Sequence, residues 1–433
     1  MEPNILRRIF FDHHHHWEQF VEKHGDRIRP VVHKEVEKFR DCGNPENGFK
    51  LFVCEGCHET RKVPYRCKGR FCTTCSIGES EEWSRLLMED VFQVNHRHVI
   101  LTIDEGLREV FLLHRELLKM LMDEGARLLK EYFEKKKKVT PGIIAGLHTF
   151  GSQVNFNPHI HMLVTMGGMT KKGEWKAYDF IPFQMLRKQW QTVVLKLIRK
   201  HLSGKDKKRV QARLQQAFSK NGEGFYIYAP KQRGEVQDQL RYIGRYMRRP
   251  AIGINRIEAY DGQMVTFKYH DKVDGKEKYE TISVEVFIMR LIRHIPDEQF
   301  KTIRHYGLYS RRTKNVSKKL LAAWQKTKKT WITQVKRTPR RQTWRERVIA
   351  SGHKGPLRCP KCDNYFEYKG EVCLENGRLV VKVALGETAR SYLEREIGHV
   401  PRIETPKKET KKEEEITDES ASQDRQLCLF TVS

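Results

Sequence analysis

The stretch Pro158-His159-Ile160-His161-Met162-Leu163-Val164 is where this sequence comes closest to visible chemistry. Side chains two apart on a strand share a face, so His159 and His161 would present two imidazoles side by side. Ile160 would turn into the core behind them, and the apolar run after His161 makes the strand central and buried. Shared ligation of a divalent metal is a good reason for such a pair. For a bare His-x-His, two hydrogen-bonded histidines are the plainer reading. If the preceding segment pairs with His148 opposite His159, a third imidazole joins the face, and a one-residue slip would remove it. Gln153, in the connection, is another candidate ligand.

The second constellation is Gln239-Leu-Arg-Tyr242-Ile-Gly-Arg-Tyr246-Met-Arg-Arg-Pro250. Tyrosines four apart lie on one helix face, one turn from each other. Arg241, Arg245, Arg248 and Arg249 crowd around them, and such cations could hold a phosphate and favour a nucleophilic phenolate. Half-buried packing on an amphipathic helix is the plainer use of the same tyrosines. Together the two motifs say more: a metal could polarise a phosphodiester while a tyrosine attacks it. No P-loop and no Gly-x-Ser-x-Gly elbow is present, so ATP hydrolysis and serine-hydrolase chemistry have no support.

The cysteines form a third group. Cys54, Cys57, Cys67, Cys72 and Cys75 lie in CEGCHETRKVPYRCKGRFCTTC, and two Cys-x-x-Cys pairs in a reducing compartment suggest a structural zinc site. Four of these five would be the ligands, with His58 a sixth candidate. Arg61, Lys62, Arg66, Lys68 and Arg70 would surround it with positive charge, as suits phosphate binding, with Arg66, Lys68 and Arg70 as DNA contacts. A further Cys359-Pro-Lys-Cys362 pair has only Cys373 nearby, which is half a zinc ribbon. The run His13 to His16 reads as solvated histidines rather than a metal site.

These residues need elements to position them. Periodicity predicts a helix over 17–40, a strand over 98–103 and a long helix from about 105 to 137, broken by Pro141-Gly142. A hairpin should pair 143–150 with 158–165. Helices follow over 183–202 and 206–219, a short strand over 225–229, and the tyrosine helix over 235–249, ended by Pro250. Strands near 254–259, 263–270 and 278–283 precede a helix over 284–295. Mixed strands and helices with several hairpins indicate an α+β fold on an antiparallel sheet. Residues 311–347 are rich in Lys and Arg with Trp324, Trp331 and Trp344 interspersed, and the Lys/Glu/Thr/Ser tail from about 403 reads as disordered.

The whole chain has 433 residues with 82 Lys+Arg against 55 Asp+Glu, a net charge of +27. Such an excess points to a polyanion, most often nucleic acid. At 38% hydrophobic and 10% aromatic it is too apolar for a wholly disordered protein. No apolar run approaches the roughly 20 residues of a bilayer span, and the N-terminus lacks a signal-peptide pattern. A bacterial cytoplasmic, nucleoid-associated protein is the simplest expectation.

Over most of residues 15–315 the sequence resembles the HUH (His-hydrophobic-His) endonuclease superfamily, and within it the two-tyrosine rolling-circle transposases of the IS91 family. The marks are CKGRFCTTC, LHTFGSQVNFNPHIHMLV, LRYIGRYMRRPAIG, VEVFIMRLIRHIP and RHYGLYSRR, in that order. The resemblance implies an HUH core whose antiparallel sheet carries the histidines, with the tyrosine helix beside it. It implies His159 and His161 as metal ligands, with Mg²⁺ or Mn²⁺ as catalytic cofactor and Zn²⁺ as structural one. Tyr242 and Tyr246 would each cleave a strand, forming a 5′-phosphotyrosine and freeing a 3′-OH. The substrate would be single-stranded DNA at element ends, together with target DNA, with no membrane partner and no nucleotide cofactor.

The expected organisation is a helix and zinc-binding, DNA-contacting module over 1–92, the nuclease core over 93–310, a basic extension with a second zinc knuckle over 311–402, and the tail over 403–433. A rolling-circle replication initiator would use the same core, and a non-catalytic zinc-dependent DNA-binding protein would keep the charge without cleavage.

Overall fold

A computed structural model describes residues 4–230, 236–247, 250–271, 274–328, 340–343, 346 and 357–398. Within these, Ile77, Gly78, Val236, Gln237, Gln239, Arg245 and Tyr246 are described by their backbone alone. Trp331, Trp344, Arg248, Arg249 and the tail over 403–433 lie outside the described residues.

The N-terminal stretch folds as α1 (Ile5–Phe11), α2 (His16–His24) and α3 (Pro30–Asp41). The single helix expected over 17–40 is therefore two. A 3-10 turn at Gly25–Arg27 ends the first, and Pro30, whose fixed φ suits a first helical residue, starts the second. The hairpin β1 (Gly48–Cys54) and β2 (Thr60–Pro64) follows, then α4 (Thr73–Asp90) and β3 (His96–Leu101). The long helix expected to about 137 is α5 (Arg108–Leu113) and α6 (Glu116–Tyr132), with a wide turn after it that stops at Lys138 in the left-handed region. Next come the hairpin β4 (Gly142–Phe150) and β5 (Phe156–Thr165), the small ribbon β6 (Gly167–Met169) and β7 (Trp175–Ala177), and helices α7 (Phe183–His201) and α8 (Gly204–Lys220).

After β8 (Ile227–Tyr228) comes α9 (Val236–Met247), the helix of the two tyrosines. A three-stranded sheet of β9 (Ile257–Tyr260), β10 (Met264–His270) and β11 (Glu277–Ser283) leads into α10 (Val284–Ile292), whose N-cap Ser283 hydroxyl accepts from Val286 N–H. Then follow β12 (Ile303–Gly307), a strand the pattern reading did not include, and α11 (Lys314–Lys328). The last elements are β13 (Phe366–Glu375), β14 (Arg378–Ala384) and α12 (Glu387–Ile397).

These elements form two units, Met1–Glu35 with Glu79–Arg340 and Val36–Gly78 with Arg341–Ser433. This departs from the expected boundaries at 92 and 310. Residues 1–35 stay with the first unit because Lys23 and His24 meet Glu285 and Arg29 pairs with Asp297. Residues 357–398 join the second because β13 pairs antiparallel with β1, giving a sheet ordered β14-β13-β1-β2.

The first unit is organised by an antiparallel sheet ordered β12-β4-β5-β3-β8, with β5 at its centre. Both faces are covered. Val99, Leu101, Ile143, Ala145, Leu147, Ile160, Met162 and Val164 point to one core, shared with the apolar stripes of α6 and α7. Ile144 and Leu163 point to the other, where they meet Leu240, Ile243 and Met247 of α9. The alternation along β5 thus sends Ile160 to one core and His159 and His161 to the face bearing the tyrosine helix.

Candidate active site and metal centres

β4 and β5 pair with His148 directly opposite His159, and Gly146 opposite His161. The ligand atoms of His148, His159 and His161 lie within 4.8 Å of one another. A bulge follows His148, so the strands part before Gln153, whose carbonyl accepts from Arg290. Hydrogen bonds set the rings. His159 Nδ1 donates to Asn157 O at 2.7 Å, which leaves Nε2 as the ring atom that can ligate. His148 Nε2 donates to Met247 O at the end of α9, 3.3 Å away, leaving the lone pair on Nδ1. Three imidazoles so held fit a borderline divalent ion such as Mn²⁺ better than Mg²⁺, which prefers oxygen.

A fourth histidine joins them that the sequence reading passed over. His98 on β3 lies two residues from Ile100, the cross-strand partner of His161, so it shares the histidine face. Its Nε2 is 2.9 Å from His161 Nδ1, and its ring meets that of Tyr242 edge-on, centroids 6.2 Å apart. Burial, reinforced by the nearby His159, pushes His98 down to about 4, so its imidazole is neutral near pH 7. The available signal was the alternation His96-x-His98 at the head of a buried strand. The other of that pair is structural: His96 Nδ1 donates to Val94 O, and its Nε2 accepts from the Tyr309 hydroxyl, both at 2.7 Å.

α9 reaches this face through close approaches. A Cβ on Gly146 would stand 3.1 Å from Met247 O, and one on Gly244 would stand 2.5 Å from Ser84 Oγ of α4. Leu240, Ile243 and Met247 are fully buried, while Arg241 and Tyr242 are exposed. Arg241 pairs with Asp238 at 3.7 Å. The side chains of Tyr246 and Arg245, like Arg248 and Arg249, lie outside the described residues.

The cysteines divide differently from expectation. Cys42, Cys67, Cys72 and Cys75 form one cluster, and Cys54, Cys57, Cys359 and Cys362 form another. Four from the five of residues 54–75 is therefore corrected. Cys54 and Cys57 end the β1–β2 hairpin, away from the Cys72-x-x-Cys75 turn, and Cys42 at the end of α3 takes the place they were assigned. In the first cluster Sγ atoms are 3.6 Å (Cys42–Cys75), 3.7 Å (Cys67–Cys75) and 3.8 Å (Cys42–Cys72) apart. The edge of a ZnS₄ tetrahedron with Zn–S near 2.3 Å is about 3.8 Å. His58 lies in neither cluster, its Nδ1 facing Tyr392 Oη at 3.1 Å, and Cys373 meets Tyr65 Oη at 3.5 Å.

Around the first cluster Lys68 is exposed, while Arg66 and Arg70 are half-buried. Arg66 lies over Gly43, so part of this basic set packs against its own module. The His13–His16 run is not simply solvated. His14 and His16 gather with Asp12, His16 Nε2 donates to Gly262 O at 2.8 Å, and Tyr260 donates to Asp12 at 2.6 Å. Among the described residues no helix is long and apolar enough to cross a membrane.

Comparison with known proteins gives two family matches. Residues 142–317 match a family described as "Putative transposase", and residues 12–103 match one described as "Transposase zinc-binding domain". The chain is 27% identical over 326 residues to the transposase for insertion sequence element IS801 of Pseudomonas savastanoi pv. phaseolicola, covering 72% of this chain and 77% of that one. It is 26% identical over 290 residues to "Putative transposase y4qJ" of Sinorhizobium fredii, covering 63% and 72%. No solved structure matches it.

Proposed function

The chain belongs to the IS91 family of transposases and carries that family's zinc-binding domain, and on this basis we propose that it nicks and rejoins single-stranded DNA at mobile-element ends through a tyrosine nucleophile. The observation that carries the reading is the sheet face holding His148, His159 and His161 within ligand distance of one another. Tyr242 joins that face through its edge-on contact with His98.

The Tyr242 oxygen attacks the scissile phosphorus, the bond to the 3′ oxygen breaks, and the 5′-phosphate stays on the tyrosine. The phenol gives up a proton and the departing 3′ oxygen takes one up. One phosphodiester is exchanged for another, so rejoining needs no nucleotide cofactor. Tyr246, one turn along the helix, supplies a second nucleophile for the joining strand. His148, His159 and His161 would hold the Mn²⁺ or Mg²⁺ ion, which would supply charge neutralisation at the phosphate. Lys68 and Arg241, both exposed, are the proposed contacts to the DNA backbone, and a DNA substrate would bring the protein to the nucleoid.

The test is incubation with end-labelled single-stranded DNA carrying an element terminus, with Mn²⁺, resolved on a denaturing gel. A retarded covalent band is expected, stronger with Mn²⁺ than with Mg²⁺, absent with chelator and absent when Tyr242→Phe and Tyr246→Phe are combined. An undiminished band in the double variant would overturn the assignment.

A further inference from the structure

We propose that Cys54, Cys57, Cys359 and Cys362 bind a second structural zinc ion, one that clips the segment from Leu357 onward to the β1–β2 hairpin. Two of these ligands lie beyond residue 103, where the match to the transposase zinc-binding domain ends.

The same turn occurs twice in the chain. Cys54-Glu-Gly-Cys57 and Cys359-Pro-Lys-Cys362 come from distant parts of the chain and fold alike. Cys54 N donates to Glu59 O at 2.9 Å, and Cys359 N donates to Asn364 O at 2.7 Å. His58 N donates to Cys54 O at 3.0 Å, and Asp363 N to Cys359 O at 2.9 Å. The residue after the second cysteine is left-handed in both, with φ 57° at His58 and 58° at Asp363. The first cysteine of each pair is buried and the second exposed. Such equivalence between unrelated stretches has a common cause if both turns must aim two sulfurs at one point.

They do so across a defined junction. Glu55 N donates to Tyr365 O at 3.1 Å, and Cys54 pairs with Phe366 where β1 meets β13. Cys54 Sγ then stands 3.4 Å from Cys362 Sγ, and Cys57 Sγ 3.6 Å from Cys359 Sγ. These separations are close to a ZnS₄ edge of about 3.8 Å and well beyond a disulfide of about 2.05 Å. Four sulfur donors leave no open position, so the role is structural.

The surroundings explain the need. The hydrophobic cluster at this junction comprises Phe52, Cys54, Cys359 and Phe366, with Val63, Leu357 and Tyr368 packed against it. A second cluster of Phe49, Leu51, Val53, Val372 and Leu393 also joins β1 to β13, and a metal is the usual further staple of so small a module.

Zinc released from purified full-length protein and measured per chain tests the assignment. Two ions per chain are expected for the unaltered protein, one for Cys359→Ser with Cys362→Ser, and two for Cys373→Ser. A Cys362→His variant, which keeps a donor on the same turn, should retain two, and so reports on the site even if the serine variant folds poorly. One ion per chain in the unaltered protein, or two in the serine double variant, would overturn the proposal. Neither measurement depends on DNA cleavage.

Discussion

His98 Nε2 lies 2.9 Å from His161 Nδ1 on a neighbouring strand, and the His98 ring meets that of Tyr242 edge-on. The contact joins β3 to the central strand β5, which carries His159 and His161. If His161 Nδ1 donates, its Nε2 lone pair is turned toward His148 and His159, and His98 selects the tautomer that a metal needs.

A positioning role of this kind is testable. His98→Leu should weaken Mn²⁺ binding by about 10- to 100-fold, the usual loss when a ligand's hydrogen-bond partner is removed. His98→Gln, whose side-chain oxygen can accept from His161, should restore much of it. The measurement is the Mn²⁺ concentration giving half-maximal covalent adduct. Equal half-points for leucine, glutamine and histidine would refute the role.

The approach of α9 to α4 is set by the missing side chain at position 244, between the two tyrosines. Gly244→Val should destabilise the fold by about 1–3 kcal/mol, since a Cβ there would sit 2.5 Å from Ser84 Oγ and 3.2 Å from Ser84 Cβ. Combining it with Ser84→Gly should return part of the loss. Urea unfolding of the two singles and the double checks this, and strict additivity would show that the residues do not share a contact.

Buried His96 and half-buried His294 predict the acid side of the stability curve. Burial pushes His96 and His294 down to about 4, against the lift from their hydrogen bonds to Val94 and Val154; Arg115 and Arg293 lower His294 further. The unfolded chain protonates first, near pH 6.5, so stability is full above that and falls as pH drops toward 4. Each histidine contributes up to about 3 kcal/mol to that fall. Asp90, held below the usual carboxylate range by Lys314 and Lys318 despite its burial, loses its contribution only at lower pH. Unfolding midpoints of His96→Gln and of the unaltered protein should therefore converge as pH falls from 7 to 4.5. A gap that widens instead would contradict the assignment of His96 as the neutral buried group.

Much of the site was legible from local pattern. Strand alternation placed His159 and His161 on one face and Ile160 behind them, and a four-residue interval placed Tyr242 and Tyr246 on one side of a helix. Such periodicities belong to the backbone and need no knowledge of what lies opposite. His148 was legible only conditionally, because its face depends on register between strands, and a shift of one residue inverts it.

What tertiary structure alone decided is which residues from distant segments meet. His98 entered the site because β3 lies along the edge of β5 opposite β4. Cys42 and Cys359 found their partners through the ends of α3 and the pairing of β13 with β1, so the five clustered cysteines divided between two centres. The sequence by itself determined the chemistry available, paired imidazoles, paired tyrosines and thiols in pairs, since side-chain type and spacing are local facts. Partnership is a long-range fact, settled when burial of both sheet faces and strand register are satisfied together.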